Sequence, residues 1–380
     1  MKNLYSLLSG LTFFFLVSFN TLFAQSPPTV QSVTSFTAEG TKKVGDIIKI
    51  KIIFSESVIV TGVPTLTLEN GTSDAVVNYT NGSPGSILNF NYTVQPGDTS
   101  SDLDYVNTTS LALNGGTIKN ASGNNAILTL VAPNANGSLG EAKDYVIDGI
   151  APTFTSVAAT DGTYFVGNTI AITVTYGEAV VGTGSALTLS NSATAVYTSG
   201  SGSTAMVYTY TVAEGNTNSS DLTVSAYTGT LTDAAGNPAG AASGDLGAVV
   251  IDGDAPDFTS VAATDGTYKV GQNIDVTVTW DEAVSVTSTP TLTLSNSGTA
   301  TYQSGTGSTA LVFRYTVVEG NTDSSDLTVS SYSGTIKDAA GNTAGAASGD
   351  LGAVIVDANS PAFTSVAATD GTYFVGNTIA

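Results

Sequence analysis

The 380-residue chain contains no cysteine and no histidine. The first absence excludes disulfide staples, thiolate metal centres and a cysteine-based lipid anchor. The second removes the commonest general base and metal ligand. Serine–histidine and cysteine–histidine catalysis therefore cannot occur in this chain. Basic residues are also scarce, with 10 Lys and Arg against 31 Asp and Glu and a net charge of −21. A nucleic-acid partner needs a basic face, and none is available. Long apolar runs are missing as well, apart from one near the start, MKNLYSLLSGLTFFFLVSFNTLFAQS. Lys2 precedes its apolar stretch and the small Ala24 ends it, the pattern of a secretory leader over residues 1–24. Thr12, Ser18, Asn20 and Thr21 interrupt the run, which argues against a membrane anchor. No second segment is long and apolar enough to span a membrane. The expected location is outside the cell or on its surface.

What is present is repetition. ATDGTYFVGNTI at 159–170 returns as ATDGTYKVGQNI at 263–274 and again as ATDGTYFVGNTI at 368–379. Pro152, Pro256 and Pro361 lie 104 and 105 residues apart. A divergent copy carries TAEGTKKVGDII at 37–48. The repeats divide the chain into units at 27–150, 151–254 and 255–358, followed by a stub at 359–380 that reads as the beginning of a further repeat. Twenty-odd residues cannot bury a core, so the stub is expected to belong to a longer array.

Within a unit the period is two. In Ile170-Ala171-Ile172-Thr173-Val174-Thr175-Tyr176, large apolar residues alternate with small or polar ones, and the run from Ile274 to Trp280 does the same. This is the pattern of a strand with one face on a core and one in water. The run from Met206 to Val212 repeats it. Glycine-rich turn signals such as SGSGS at 199–203 and AAGN at 234–237 separate about seven such runs per unit. The 41 glycines and the abundance of Thr, Ser and Val favour strands and tight turns. The expected fold is all-β: tandem immunoglobulin-like β-sandwich domains of about seven strands each. Trp280 occupies a strand position held by Phe54 and Tyr176 in the other units and is expected in the core.

The ATDGTYxVGxxI phrase, the strand ending in Glu178 or Glu282, the YTV-x-EGN run, TDAAGN at 232–237 and the VID…AP junction resemble the tandem bacterial Ig-like repeats of large surface and secreted adhesin-type proteins. The resemblance covers about residues 27–380 and implies a spacer or stalk. Some related modules hold Ca²⁺ between domains. The first unit departs from the pattern, with Asn120 in place of Asp233 and Asp338 and with added sequence around 104–114 and 126–141.

The acids fall in loops. The second unit holds eight of them and no Lys or Arg. Dividing the loops between the two poles of a sandwich puts Asp161, Glu214 and Asp221 at the end where the unit leaves into Asp252 and Asp254. Asp281, Glu282 and Asp338 of the next unit would meet them there. Convergent carboxylates repel unless a cation sits among them, and Ca²⁺ takes six to eight hard oxygens in flexible geometry. A junction Ca²⁺ is one reading. The other is that the acids are solvated surface charge and that each linker Asp caps a turn before Gly and Pro.

Three functional readings follow. The first is a non-catalytic stalk whose partners are its own neighbouring repeats and an unknown surface or glycan receptor. The second is a module array binding carbohydrate or protein, with Tyr164, Tyr197 and Tyr268 as candidate stacking groups; solvent-facing tyrosines clustered on one sheet would support it. The third is an enzyme, either through paired carboxylates within these units or in a domain beyond residue 380 for which they serve as spacer. Acids that recur with every repeat are unlike a single active site, so no catalysis is expected within the units.

Overall fold

The computed structural model describes residues 26–71 and 73–380; the expected leader at 1–24 lies outside them. Buried apolar side chains form three separate cores. One runs from Val33 to Ile147, one from Ile170 to Ile251 and one from Ile274 to Ala358. By compactness the chain divides into two units. One is Met1–Ala151 with Ala235–Asn237, and the other is Pro152–Ala234 with Pro238–Ala380. The second and third repeats share the latter.

The second repeat shows the plan. Thr169–Val180 buries Ile170, Ile172, Val174 and Tyr176 and turns the residues between them outward. It pairs antiparallel with Phe154–Ala158 on one side and Ser203–Thr211 on the other. The sheet continues through Thr194–Ser199 and Ala186–Leu189 to Thr223–Thr228, rolling round the core. A second layer pairs Gly162–Phe165 in parallel with Val249–Gly253, which also meets Asn216–Ser219. The chain thus begins in one layer and crosses to the other between 158 and 162. A first strand shared between layers and lying parallel to the last strand completes an immunoglobulin-like β-sandwich. The third repeat reproduces this order, with Gly266–Lys269 parallel to Val354–Asp357.

Each fully buried Val, Leu or Ile contributes about 1.5–3 kcal/mol, and each repeat supplies about twenty buried apolar residues of its own. Trp280 is in the core, edge-on to Tyr332 at 6.4 Å.

The first repeat keeps the plan and adds to it. Its extra loops fold back on the core: Leu103, Tyr105, Leu111, Leu130 and Leu139 are buried. The Tyr105 hydroxyl donates to the Val131 carbonyl at 2.6 Å. Among the described residues the one helix is Leu139–Ala142, capped where Ser138 Oγ accepts from Glu141 N. It is too short to cross a membrane, and no described helix is long and apolar enough to do so. Residues 359–380 hold no strand, yet they form the local turn of the repeats. Tyr373 donates to the Thr369 carbonyl and Phe374 N to Asn377 Oδ1, as Tyr164 does to Thr160 and Phe165 to Asn168.

Candidate functional site

The linker between the second and third repeats, residues 252–256, lies inside one compact unit. Strand Val249–Gly253 delivers it, and loops from both sides hold it. From the second repeat, Glu214 Oε1 accepts from Ala255 N at 3.2 Å. Asn218 Oδ1 accepts from Gly253 N at 2.6 Å, and its Nδ2 donates to Asp254 Oδ2. Just past the linker, within the third repeat, Asp281 Oδ1 accepts from Asp257 N, and Asp281 N returns a bond to the Asp257 carbonyl. Within the linker, Asp252 Oδ1 accepts from Asp254 N, an Asp-capped turn.

The decisive residue is Asn342, in the AAGN turn of the third repeat, which is only 2% exposed. Its Oδ1 accepts from Val166 N of the second repeat at 2.7 Å. Its Nδ2 donates to the carbonyl of Asp254 at 2.9 Å and to that of Asp252 at 3.4 Å. One amide therefore joins the second repeat, the linker and the third repeat. Asp338 holds it in place: Oδ1 accepts from Gly341 N and Asn342 N, and Oδ2 from Asn342 Nδ2. Gly341 is required beside it. Its φ is +117°, and an added Cβ would lie 2.9 Å from the Phe165 ring. Lys337 Nζ stands 5.8 Å from the centre of that ring. The matching Asn237 makes the same set of bonds in the first compact unit, accepting from Val44 N and donating to the carbonyls of Asp148 and Ile150.

Of the sequence-nominated acids, Asp252, Asp254, Asp281, Glu282 and Asp338 are brought together. Glu282 shows it. Burial first, then Asp338, Asp252, Asp281 and Asp254, push its carboxyl up to about 7. Asp161 and Asp221 are elsewhere. Pairing of Gly162 with Val249 and Phe165 with Asp252 puts Asp161 beside Ala248, whose N–H it accepts, four positions ahead of Asp252. At about 3.3 Å per residue this is roughly 13 Å from the junction. Asp221 precedes Leu222, whose N–H bonds the Val249 carbonyl at the same level. The pole assignment misplaced both because the first strand changes layers midway, so the loop carrying Asp161 sits halfway along the sandwich. Glu214 is at the junction, bonded to the linker backbone.

The donor chemistry suits Ca²⁺, but the arrangement falls short of a shell. Among the described residues no three or more carboxylates stand close enough to hold one ion. Charges repel over distances longer than a metal–oxygen bond, so crowding at Glu282 and the lack of a shell are compatible. Asp281 and Asp338 already spend carboxylate oxygens on backbone N–H groups.

The tyrosines are not a platform. Tyr164 and Tyr268 are half-buried, with their hydroxyls tied to the carbonyls of Thr160 and Thr264. Tyr197 packs edge-on against Tyr208 at 6.2 Å.

No protein-family model and no curated protein matches the chain. Among solved structures, the "I-band fragment I67-I69 from titin" matches at 10% identity over 88% of this chain and 100% of that chain, with a TM-score of 0.35. A marsupial T cell receptor matches at 9% identity over 84% of this chain and 98% of that chain, with a TM-score of 0.27. The fold assignment rests on the strand pairing itself.

Proposed function

We propose that the chain is a non-catalytic spacer, a stalk segment of an exported, adhesin-like bacterial surface protein. The observation that carries this reading is the Asn342 bridge: the most elaborate buried polar arrangement of the third repeat is spent on joining it to its predecessor. Of the candidate acids, Glu214 is engaged with the linker backbone, and Asp281 with that of Asp257 just after it. The leader-like start supports export, and cleavage after Ala24 would leave Gln25 as the mature N-terminus.

The test is replacement. Exchanging residues 151–254 for an unrelated sandwich domain of equal length, in the protein displayed on its cell, should preserve adhesion. Loss of adhesion with display intact would overturn the spacer reading in favour of a binding array.

A second element is a Ca²⁺ drawn to the crowded carboxylates around Glu282, which would have to close inward to complete a shell that they do not form as they stand. Calorimetric melting of the full chain in EDTA and in Ca²⁺ at about 0.1–10 mM covers the affinity range of extracellular modules. A rise in melting temperature with Ca²⁺ but not Mg²⁺, lost in Glu282→Gln, supports the ion. Superimposable melts exclude it and leave the hydrogen bonds of Asn342, Glu214 and Asn218 to hold the junction.

A further inference from the structure

The outward face of the first repeat's sheet differs in chemistry from those of the other two. Lys49 pairs with Asn91 and Lys51 with Asn89 across strands Ile47–Thr61 and Gly85–Thr93. The corresponding pairs are Ala171 with Thr209 and Thr173 with Val207 in the second repeat. In the third, Asp275 pairs with Arg314, an ion pair at 2.6 Å that satisfies itself. The inward positions between them stay apolar in all three repeats: Ile50 and Phe90, Ile172 and Tyr208, Val276 and Phe313. The sandwich therefore needs no amides on this face.

The face is also hollowed. Strand Ala75–Asn81 pairs with Gly85–Thr93 only from Tyr79 onward, while residues 75–78 pair with Thr65–Leu68 instead. The strands splay, and a groove of about 700 Å³ opens past Asn78, Asn91 and Gln95 to Asp98. A second hollow of about 270 Å³ adjoins it through Asn91 and reaches Asn89, Lys49 and Phe36. Phe36 is 62% exposed, and Lys51 Nζ lies 4.3 Å from the centre of its ring and covers one face of it.

A primary amide offers a donor and an acceptor in one plane, which matches two adjacent hydroxyls. An exposed aromatic ring covers the apolar face of a sugar. Small-ligand sites combine such apolar contact with a few placed polar groups. Asp74 and Asp98 line the groove, which turns away an anionic ligand, and Lys49 lines the adjoining hollow, which turns away a cationic one, so the face suits an uncharged ligand. We infer that this face of the first repeat binds a neutral oligosaccharide lying along the splayed strands, stacked on Phe36 and bonded by Asn78 and Asn91, while Asn89 donates to Asn81 and so braces the floor. The inference is independent of the spacer reading, since it concerns one repeat and no junction.

Titration calorimetry of the full chain with cellohexaose, mannohexaose and chitohexaose, each to about 10 mM, tests it in the range expected of weak sites. At least one should bind, and Phe36→Ala and Asn91→Ala should each weaken it about tenfold or more without lowering the melting temperature. Thr209→Ala, at the matching position of the second repeat, should leave binding unchanged. Failure of all three sugars to bind, or binding unmoved by both first-repeat variants, overturns the proposal.

Discussion

Asn342 is the residue on which the junction turns. Replacing it by Ala removes the acceptor of Val166 N and the donor to the Asp254 carbonyl. A buried polar group left without its partner costs about 1–3 kcal/mol. The Val166 amide should lose protection of that size in hydrogen exchange, while amides in the core of the second repeat keep theirs. Glu282 makes a separate prediction. Its folded carboxyl is raised to about 7 by burial and by four neighbouring carboxylates. Between the ordinary glutamate range and about 7, the folded chain holds a proton that the unfolded chain has released. That contribution to stability is complete below the ordinary range and is lost as pH rises through about 7. In EDTA the unit containing Glu282 should melt higher at about pH 5 than at about pH 8, and Glu282→Gln should flatten the difference. An unchanged slope in that variant would show that Glu282 is not the group responsible.

At the scale of elements, most of the fold was legible and the site only in part. Alternation from Ile170 to Tyr176 and from Ile274 to Trp280 placed the central strands, because a half-buried strand has a period of two wherever it lies. The splitting of the first strand left no such trace. Phe154–Ala158 and Gly162–Phe165 read as one irregular run, and only their partners reveal the change of layer. The position of Asp161 depended on that change. Asn237 and Asn342 were visible only as the ends of two AAGN turns. Their recurrence after a glycine was the available signal, but a turn asparagine is ordinarily explained by the turn itself. The face around Phe36 is not legible in the sequence, because which outward residues of the first repeat adjoin a hollow depends on how its strands pair. Two substitutions probe the elements. Gly200 has φ +105°, and a Cβ there would lie 2.1 Å from the Ala205 carbonyl. Gly200→Ala should cost more than the about 1–2 kcal/mol of left-handed backbone alone, read as a lower melting transition. Trp280→Phe should cost less than the about 3–5 kcal/mol of a truncation to Ala. The indole N–H has no partner to lose, and Phe54 fills the same position in the first repeat.

At the scale of the molecule, each repeat is a complete sandwich with its own core, and polar groups rather than a shared apolar layer join the second to the third. Such a junction adds reach one repeat at a time, and its rigidity depends on how well the amide is held. The absence of cysteine makes this directly measurable, because two introduced thiols are the only ones to label. Thr198 and Gln303 are exposed, equivalent positions on the second and third repeats. Spin labels on Thr198→Cys and Gln303→Cys in the full chain report the distance between those repeats by pulsed electron resonance. The account predicts one narrow distance distribution that broadens when Asn342→Ala is added. A distribution already broad with Asn342 in place, or one that stays narrow without it, would contradict the claim that this asparagine fixes one repeat upon the next.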